Sequence, residues 1–273
     1  MRPVLFKLFV GAASGKNAQR AVTLAGAHQL GGGTQGCAGA GTGGDAVIEQ
    51  HLPCGALGIG RIGTLVGSSV GGFQAIEWAV LEPERIGKLI LIATAARAQP
   101  WTIAADEAQR MALEADTTFG TDSPDAGRRG MEAARAIGLL TYRGSSAYNA
   151  TQQEHDDPDK TRGFRACSYQ RHQGEKLSRR FDAYSYRRIT EAFDSHNVGR
   201  GRGGVERALG TIGADTLVVG ITSDIILPVG EQLALWRHIP HCRMELIVSD
   251  FGHDGFLVEH AKLDAILGPF IES

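Results

Sequence analysis

Three side chains stand out for the chemistry they could share: a serine, an aspartate and a histidine, met in that order. Ser69 lies in Gly67-Ser68-Ser69-Val70-Gly71, a G-x-S-x-G pattern. Asp224 lies in ITSDIILP and His253 in FGHDGF. A serine hydroxyl is a weak nucleophile at neutral pH unless a base takes its proton during attack. An imidazole performs that role and then returns a proton to the leaving group. A carboxylate fixes the imidazole tautomer and stabilises the imidazolium. Small residues around Ser69 permit a sharp turn that would aim the Val70 N–H at an oxyanion. Such a donor is typically worth about 3–4 kcal/mol in acyl transfer. Taken singly, each residue has a plain reading: a satisfied serine in a glycine-rich turn, a turn aspartate, one loop histidine among nine.

The elements around them change the odds. IGTLVG (62–67) reads as a short buried strand running into GGFQAIEWAVL (71–81), which has helical apolar spacing. RIGKLILIAT (85–94), DTLVVGI (215–221) and MELIVS (244–249) read as further strands. Residues 102–115, 126–142, 176–194 and 229–238 have helical spacing, and a last helix runs to Ile271. Strands alternating with helices predict an α/β fold with a parallel sheet covered by helices. Ser69, Asp224 and His253 each follow the C-terminal end of a strand, where open parallel sheets place their sites. The order Ser, Asp, His is that of α/β-hydrolase triads. The expected architecture is therefore an α/β-hydrolase-like sheet with a helical lid insertion. Its core comprises 61–100 and 208–273, and its lid 101–207.

Composition sets outer limits. The chain has 273 residues, 42% of them hydrophobic and a formal net charge of -2, which fits a globular protein and disfavours a generally basic nucleic-acid binder. No segment approaches the roughly 18 uncharged apolar residues of a membrane span. The apolar run in MRPVLFKLFVGAASG is short and broken by Lys7, so it is not read as a secretory leader. Cys37, Cys54, Cys167 and Cys242 lack paired spacing and read as free thiols in a reducing cytoplasm. No His/Cys/Asp cluster has ligand spacing, so no metal is expected. Residues 1–60 are atypical: 14 glycines, 10 alanines and six charged side chains, without a strand or helix period through GGGTQGCAGAGTGG. That run lacks the Gly-Lys-Ser/Thr ending of a phosphate loop.

From about residue 61 onward the chain resembles the homoserine O-acyltransferase family, most often its acetyl-transferring members. The resemblance is carried by VGSSVGGFQAIEWAVLEPERI, ARAIGLLTYR, SYQRHQGEKLSRRFDAYSYRRITEAFDSHNVGRGRGG, TLVVGITSDIILP and FGHDGFLVEH. It implies an α/β-hydrolase fold, a homodimer, and transfer of acetyl from acetyl-CoA to L-homoserine in methionine biosynthesis, with no further cofactor. It implies Ser69 as the acyl-accepting nucleophile, Asp224 and His253 as its partners, Arg135 and Tyr142 as homoserine contacts, and Asp254 as a further contact to the amino acid. A guanidinium suits the acceptor's carboxylate and a carboxylate suits its ammonium. Residues 160–207 carry twelve Lys/Arg against five Asp/Glu, a field that would attract CoA phosphates. Arg200 and Arg202 are the sharpest candidate CoA contacts; the bland alternative is a solvated RG loop, and RNA binding is weakly supported.

The family has several strands and an oxyanion-donating loop before its nucleophile turn, and Ser69 comes early for all of them. Only VLFKLFV, AVTLAG and DAVIE are strand-like upstream, and VTLAG (22–26) is the candidate oxyanion loop. A missing neighbour would leave the nucleophile's strand with an open edge. The favoured expectation is a truncated or frame-shifted family member with an incomplete sheet and impaired activity; the other is a divergent N-terminus that completes it. Alternative functions are homoserine O-succinyltransferase, serine O-acetyltransferase, an esterase of the same fold, or an inactive chain acting as an interaction module.

Overall fold

The computed structural model describes residues 9–11, 21–24, 54, 58–154 and 159–273. Among these, six strands form one sheet in chain order: β1 (Phe9–Gly11), β2 (Ala21–Leu24), β3 (Ile62–Ser68), β4 (Ile86–Ile92), β5 (Asp215–Ile221) and β6 (Cys242–Ile247). β1 is antiparallel to β2, and every later pairing is parallel. Parallel neighbours need crossovers, and the crossover helices bury both faces of the sheet. The central strands accordingly read as apolar runs, IGKLILI in β4 and DTLVVGI in β5.

Alternate side chains of these runs feed two cores. Leu89, Leu91 and Val218 join Ile76 and Trp78 of α1 (Val70–Leu81) and Leu235 of α8 (Val229–His238). Ile90, Ile92, Leu217, Val219 and Ile221 join Phe256 of α9 (Gly255–Val258), and Leu263 and Phe270 of α10 (His260–Glu272), on the other face. This period of two is what a strand imposes.

The sheet continues past the nucleophile's strand. β2 runs beside β3, with Ala21 opposite Thr64 and Leu24 opposite Gly67, so β3 has a neighbour on each side. The expected open edge at β3 is therefore filled, by the run AVTL. Only Phe9 and Val10 of VLFKLFV fall in β1, and DAVIE lies outside the described residues.

The insertion between β4 and β5 holds α2 (Pro100–Glu114), α3 (Arg128–Tyr142), α4 (Ser145–Gln152), α5 (Arg165–Ser178) and α6 (Ala183–Asp194), then α7 (Val205–Leu209). Spacing alone predicts one helix over 176–194. The structure breaks it at 179–182, where the Asp182 side chain accepts the Ser185 N–H at 2.8 Å and so caps a new helix. α4 and α7 were not expected, because SSAYNATQ and VERAL are too polar or too short for an apolar period. The chain also rejoins the core earlier than 208: Arg97 bridges Asn197, and Val198 is buried with Trp78 and Leu209.

An ion pair fastens that return. Arg202 Nη2 lies 2.8 Å from Oε2 of the buried Glu77 on α1, and its Nη1 donates to the Val198 carbonyl at 2.7 Å. Removing one partner of such a pair strands the other charge. Arg202→Met, which keeps much of the stem, is expected to destabilise the fold by about 3 kcal/mol, read as a lower urea midpoint. An unchanged midpoint would mean that Glu77 needs no cationic partner.

Candidate active site

β3 ends in a turn that places Ser69 at φ 52°, ψ -125°, a left-handed φ that a residue with a side chain rarely adopts. The surroundings hold it there. The Ser69 N–H donates to the Ile92 carbonyl at 3.0 Å, and Thr94 Oγ1 donates to the Ser69 carbonyl at 2.8 Å. α1 then starts so close to the sheet that flanking side chains would collide. A Cβ on Gly67 would meet the Gly71 carbonyl oxygen and lie 2.7 Å from Ala75 Cβ; one on Gly72 would lie 2.6 Å from Thr94 Cγ2. Val70 opens α1, so its N–H has no acceptor within the helix.

Asp224 follows β5 in a tight loop. Its Oδ1 accepts the N–H groups of Ile226 and Leu227 at 2.9 and 3.0 Å. Those two bonds aim Oδ2 at His253 Nδ1, 2.6 Å away. His253 follows β6 on a 3-10 turn, Gly252–Asp254, and its Nε2 lies 2.8 Å from Ser69 Oγ. A carboxylate only accepts, so Nδ1 carries the proton and Nε2 presents its lone pair to the serine hydroxyl. The His253 and Asp224 side chains are essentially buried. The structure thus brings together the three residues selected from the sequence, with each bond in the direction that proton transfer from the serine requires.

Lid helices roof this relay over a cavity whose wall includes Ser69, Val70, His253, Arg135 and Tyr142. The Arg135 guanidinium stacks over the Tyr142 ring at 5.4 Å, and that ring lies 6.2 Å from the imidazole. Burial and the nearby Asp106 charge push the Tyr142 hydroxyl upward, so it stays protonated. Asp254 is half-buried beside the relay but off the cavity wall. Its Oδ2 is 2.8 Å from Arg143 Nε. Burial raises its pKa, opposed by Arg143.

Arg200 and Arg202 do not reach the wall either. Arg200 donates to the Ser195 carbonyl at 2.6 Å, and Arg202 is bound to Glu77 and Val198. Of the VTLAG candidate, Val22–Leu24 end β2 opposite Gly67, and Ala25 and Gly26 lie outside the described residues.

Sequence reading missed Asp106, a cavity-wall residue on α2. Its Oδ1 accepts from Gln109 at 2.9 Å, and Gln109 accepts the Tyr186 hydroxyl. Asp106 also hydrogen-bonds Asp194, whose Oδ2 is 2.6 Å from Arg110 Nη2. Burial and the Asp194 charge push Asp106 up to about 8. A signal was present: Thr102, Asp106, Gln109, Arg110 and Leu113 recur at helical spacing and all are buried, while Trp101 and Met111 face out. The helix carries a polar stripe inward, the inverse of the usual pattern. Among the described residues no group of three or more His, Cys, Asp or Glu is placed to hold a metal.

The fold and the Ser-His-Asp geometry define a class, and the comparisons agree. The family model described as the alpha/beta hydrolase fold matches residues 46–260, and the chain belongs to that family. Within it, the chain is 42% identical over 214 residues to homoserine O-acetyltransferase of Cyclobacterium marinum, covering 78% of this chain and 60% of the relative. It is 41% identical over 230 residues to that of Chlorobaculum tepidum, covering 83% and 64%. The chain therefore spans less than two thirds of the length of these relatives. The homoserine O-acetyltransferase structure from Staphylococcus aureus is 29% identical with a TM-score of 0.70, covering 85% of this chain and 65% of that one. The acetyl esterase MekB, 24% identical with a TM-score of 0.76, covers 86% and 69% and shares the fold.

Gly72→Ala tests the turn. The added methyl must displace Thr94, which holds the Ser69 carbonyl. The expected cost is about 1–3 kcal/mol of stability, measured by denaturation, together with slower acylation of Ser69 by an activated ester.

Proposed function

We propose that this chain moves an acetyl group from acetyl-CoA to the side-chain hydroxyl of L-homoserine through an acetyl ester on Ser69. The observation that carries the reading is the continuous bond path from Ser69 through His253 to Asp224 beneath a helical roof. The similarity of the chain to homoserine O-acetyltransferases supports the choice of substrates.

In the first half-reaction, Ser69 Oγ attacks the thioester carbonyl and gives its proton to His253 Nε2. The Val70 N–H stabilises the oxyanion, the C–S bond breaks, and CoA leaves with the proton. Asp224 stabilises the imidazolium meanwhile. In the second, the homoserine hydroxyl gives its proton to His253 and attacks the acetyl ester; Ser69 recovers a proton as O-acetylhomoserine forms. Arg135 takes the acceptor's carboxylate beside Tyr142. Asp254 would reach the acceptor only by loosening its pair with Arg143. The basic balance of 160–207, with Arg200 exposed, supports attraction of CoA phosphates. The roof limits water at the ester, as a transferase requires.

The role belongs to methionine biosynthesis in the cytoplasm. Among the described residues no helix is long and apolar enough to cross a membrane. A homodimer joined through the lid is supported by Trp101, Met111 and Leu140, which are apolar and exposed there.

Mass spectrometry after incubation with acetyl-CoA alone is expected to find acetyl on the Ser69 peptide, discharged on adding homoserine. Ser69→Ala is expected to lose the adduct and at least about 10⁴-fold in kcat. Full turnover in that variant would remove Ser69 from the reaction. CoA release at the same rate without homoserine would make the chain a hydrolase.

A further inference from the structure

We propose that Asp106 is the specificity-determining carboxylate that receives the ammonium group of the amino-acid acceptor. This inference rests on the acceptor being an amino acid, as set out above. A zwitterionic acceptor brings two opposite charges into a confined site, and each needs a partner there. Arg135 and Arg180 put guanidinium groups on the cavity wall, and Asp106 is the only carboxyl among the described residues that line it. Asp254, the other nearby acid, lies off the wall and is held by Arg143.

The neighbourhood of Asp106 is built to hold it in a convertible state. Asp194 faces it from α6 and hydrogen-bonds it. Two carboxylates can share such a bond only if one of them carries a proton. Arg110 holds Asp194 from the other side at 2.6 Å. The remaining charged or titratable groups facing Asp106 are Tyr186 from α6, Tyr142 and Arg135 from α3, and Arg180 and His253 across the shared wall. Before an acceptor arrives, the two carboxyls thus share one proton. An arriving ammonium takes the place of that proton as the donor to Asp106, and the proton passes to solvent.

The sign of the linkage follows. Burial and Asp194 hold Asp106 protonated below a pKa of about 8. Binding an ammonium requires the ionised form, so affinity for the acceptor strengthens as pH rises toward that value and levels off above it.

The test compares L-homoserine with 4-hydroxybutyrate, which keeps the hydroxyl and the carboxylate and lacks the ammonium. The ratio of their kcat/KM values cancels the pH dependence of the shared chemistry. For the unaltered chain the ratio is expected to rise several-fold per pH unit up to the inflection. In Asp106→Asn it is expected to fall at least tenfold and to lose its pH dependence, with the change in KM for homoserine rather than in kcat. Asp194→Asn removes the like charge and is expected to move the inflection to lower pH; it carries the test alone if Asp106→Asn does not fold. A ratio flat with pH in the unaltered chain, a ratio unmoved by Asp106→Asn, or an inflection unmoved by Asp194→Asn overturns the assignment. Absence of any transfer to homoserine by the unaltered chain overturns the proposed function and this inference with it.

Discussion

His253 makes its two ring-nitrogen contacts with groups that no local segment could supply. Ser69 comes from the end of β3, Asp224 from the loop after β5 and His253 from the loop after β6, and the contacts are 2.8 and 2.6 Å. A slip of one residue between parallel strands moves a strand end by about 3.3 Å, enough to break either bond. The ladder from β3 through β4 and β5 to β6 is therefore the ruler of the site. The alternating side chains of β4 and β5 fix that ladder, because each strand has to deliver its apolar residues to two separate cores.

The lid solves a different problem. It has to cover the relay without sealing it in hydrocarbon, since the cavity must admit charged molecules. α2 does so by turning Thr102, Asp106, Gln109 and Arg110 inward. Most of their polar atoms meet a neighbour on α2, α6 or the loop after β5: Thr102 the Ile226 carbonyl, Gln109 both Asp106 and Tyr186, and Arg110 both Asp194 and Glu107, with only Nη1 of Arg110 left over. Buried polar groups are tolerable only under that condition. The network also ties α2 to α6.

Much of this was legible in the sequence because it is written in periodic or local signals. The strands and the helices flanking Ser69 follow from apolar spacing, and the G-x-S-x-G turn from small residues at fixed offsets. Asp224 and His253 were found because a parallel sheet puts its loops at one end. The break at 179–182 was missed because Asp182 acts by capping, which interrupts a helix without interrupting its apolar period. Asp106 was missed because its burial depends on partners up to 88 positions away, which no local window contains. The Arg202 pairing with Glu77 was not legible, because a cation in a glycine-rich loop has the same local signature whether it faces solvent or a buried carboxylate.

The junction behind the imidazole has a mechanical side. A Cβ on Gly144 would collide with the Asp250 carbonyl oxygen, and one on Gly252 would lie 2.7 Å from the Arg143 carbonyl carbon, so two stretches of main chain touch with nothing between them. The C-terminal end of α3 and the loop bearing the base are moulded together as cast and die. Lifting that corner of the roof would tug the base out of alignment, so a molecule that enters or leaves without disarming the serine has to use another doorway.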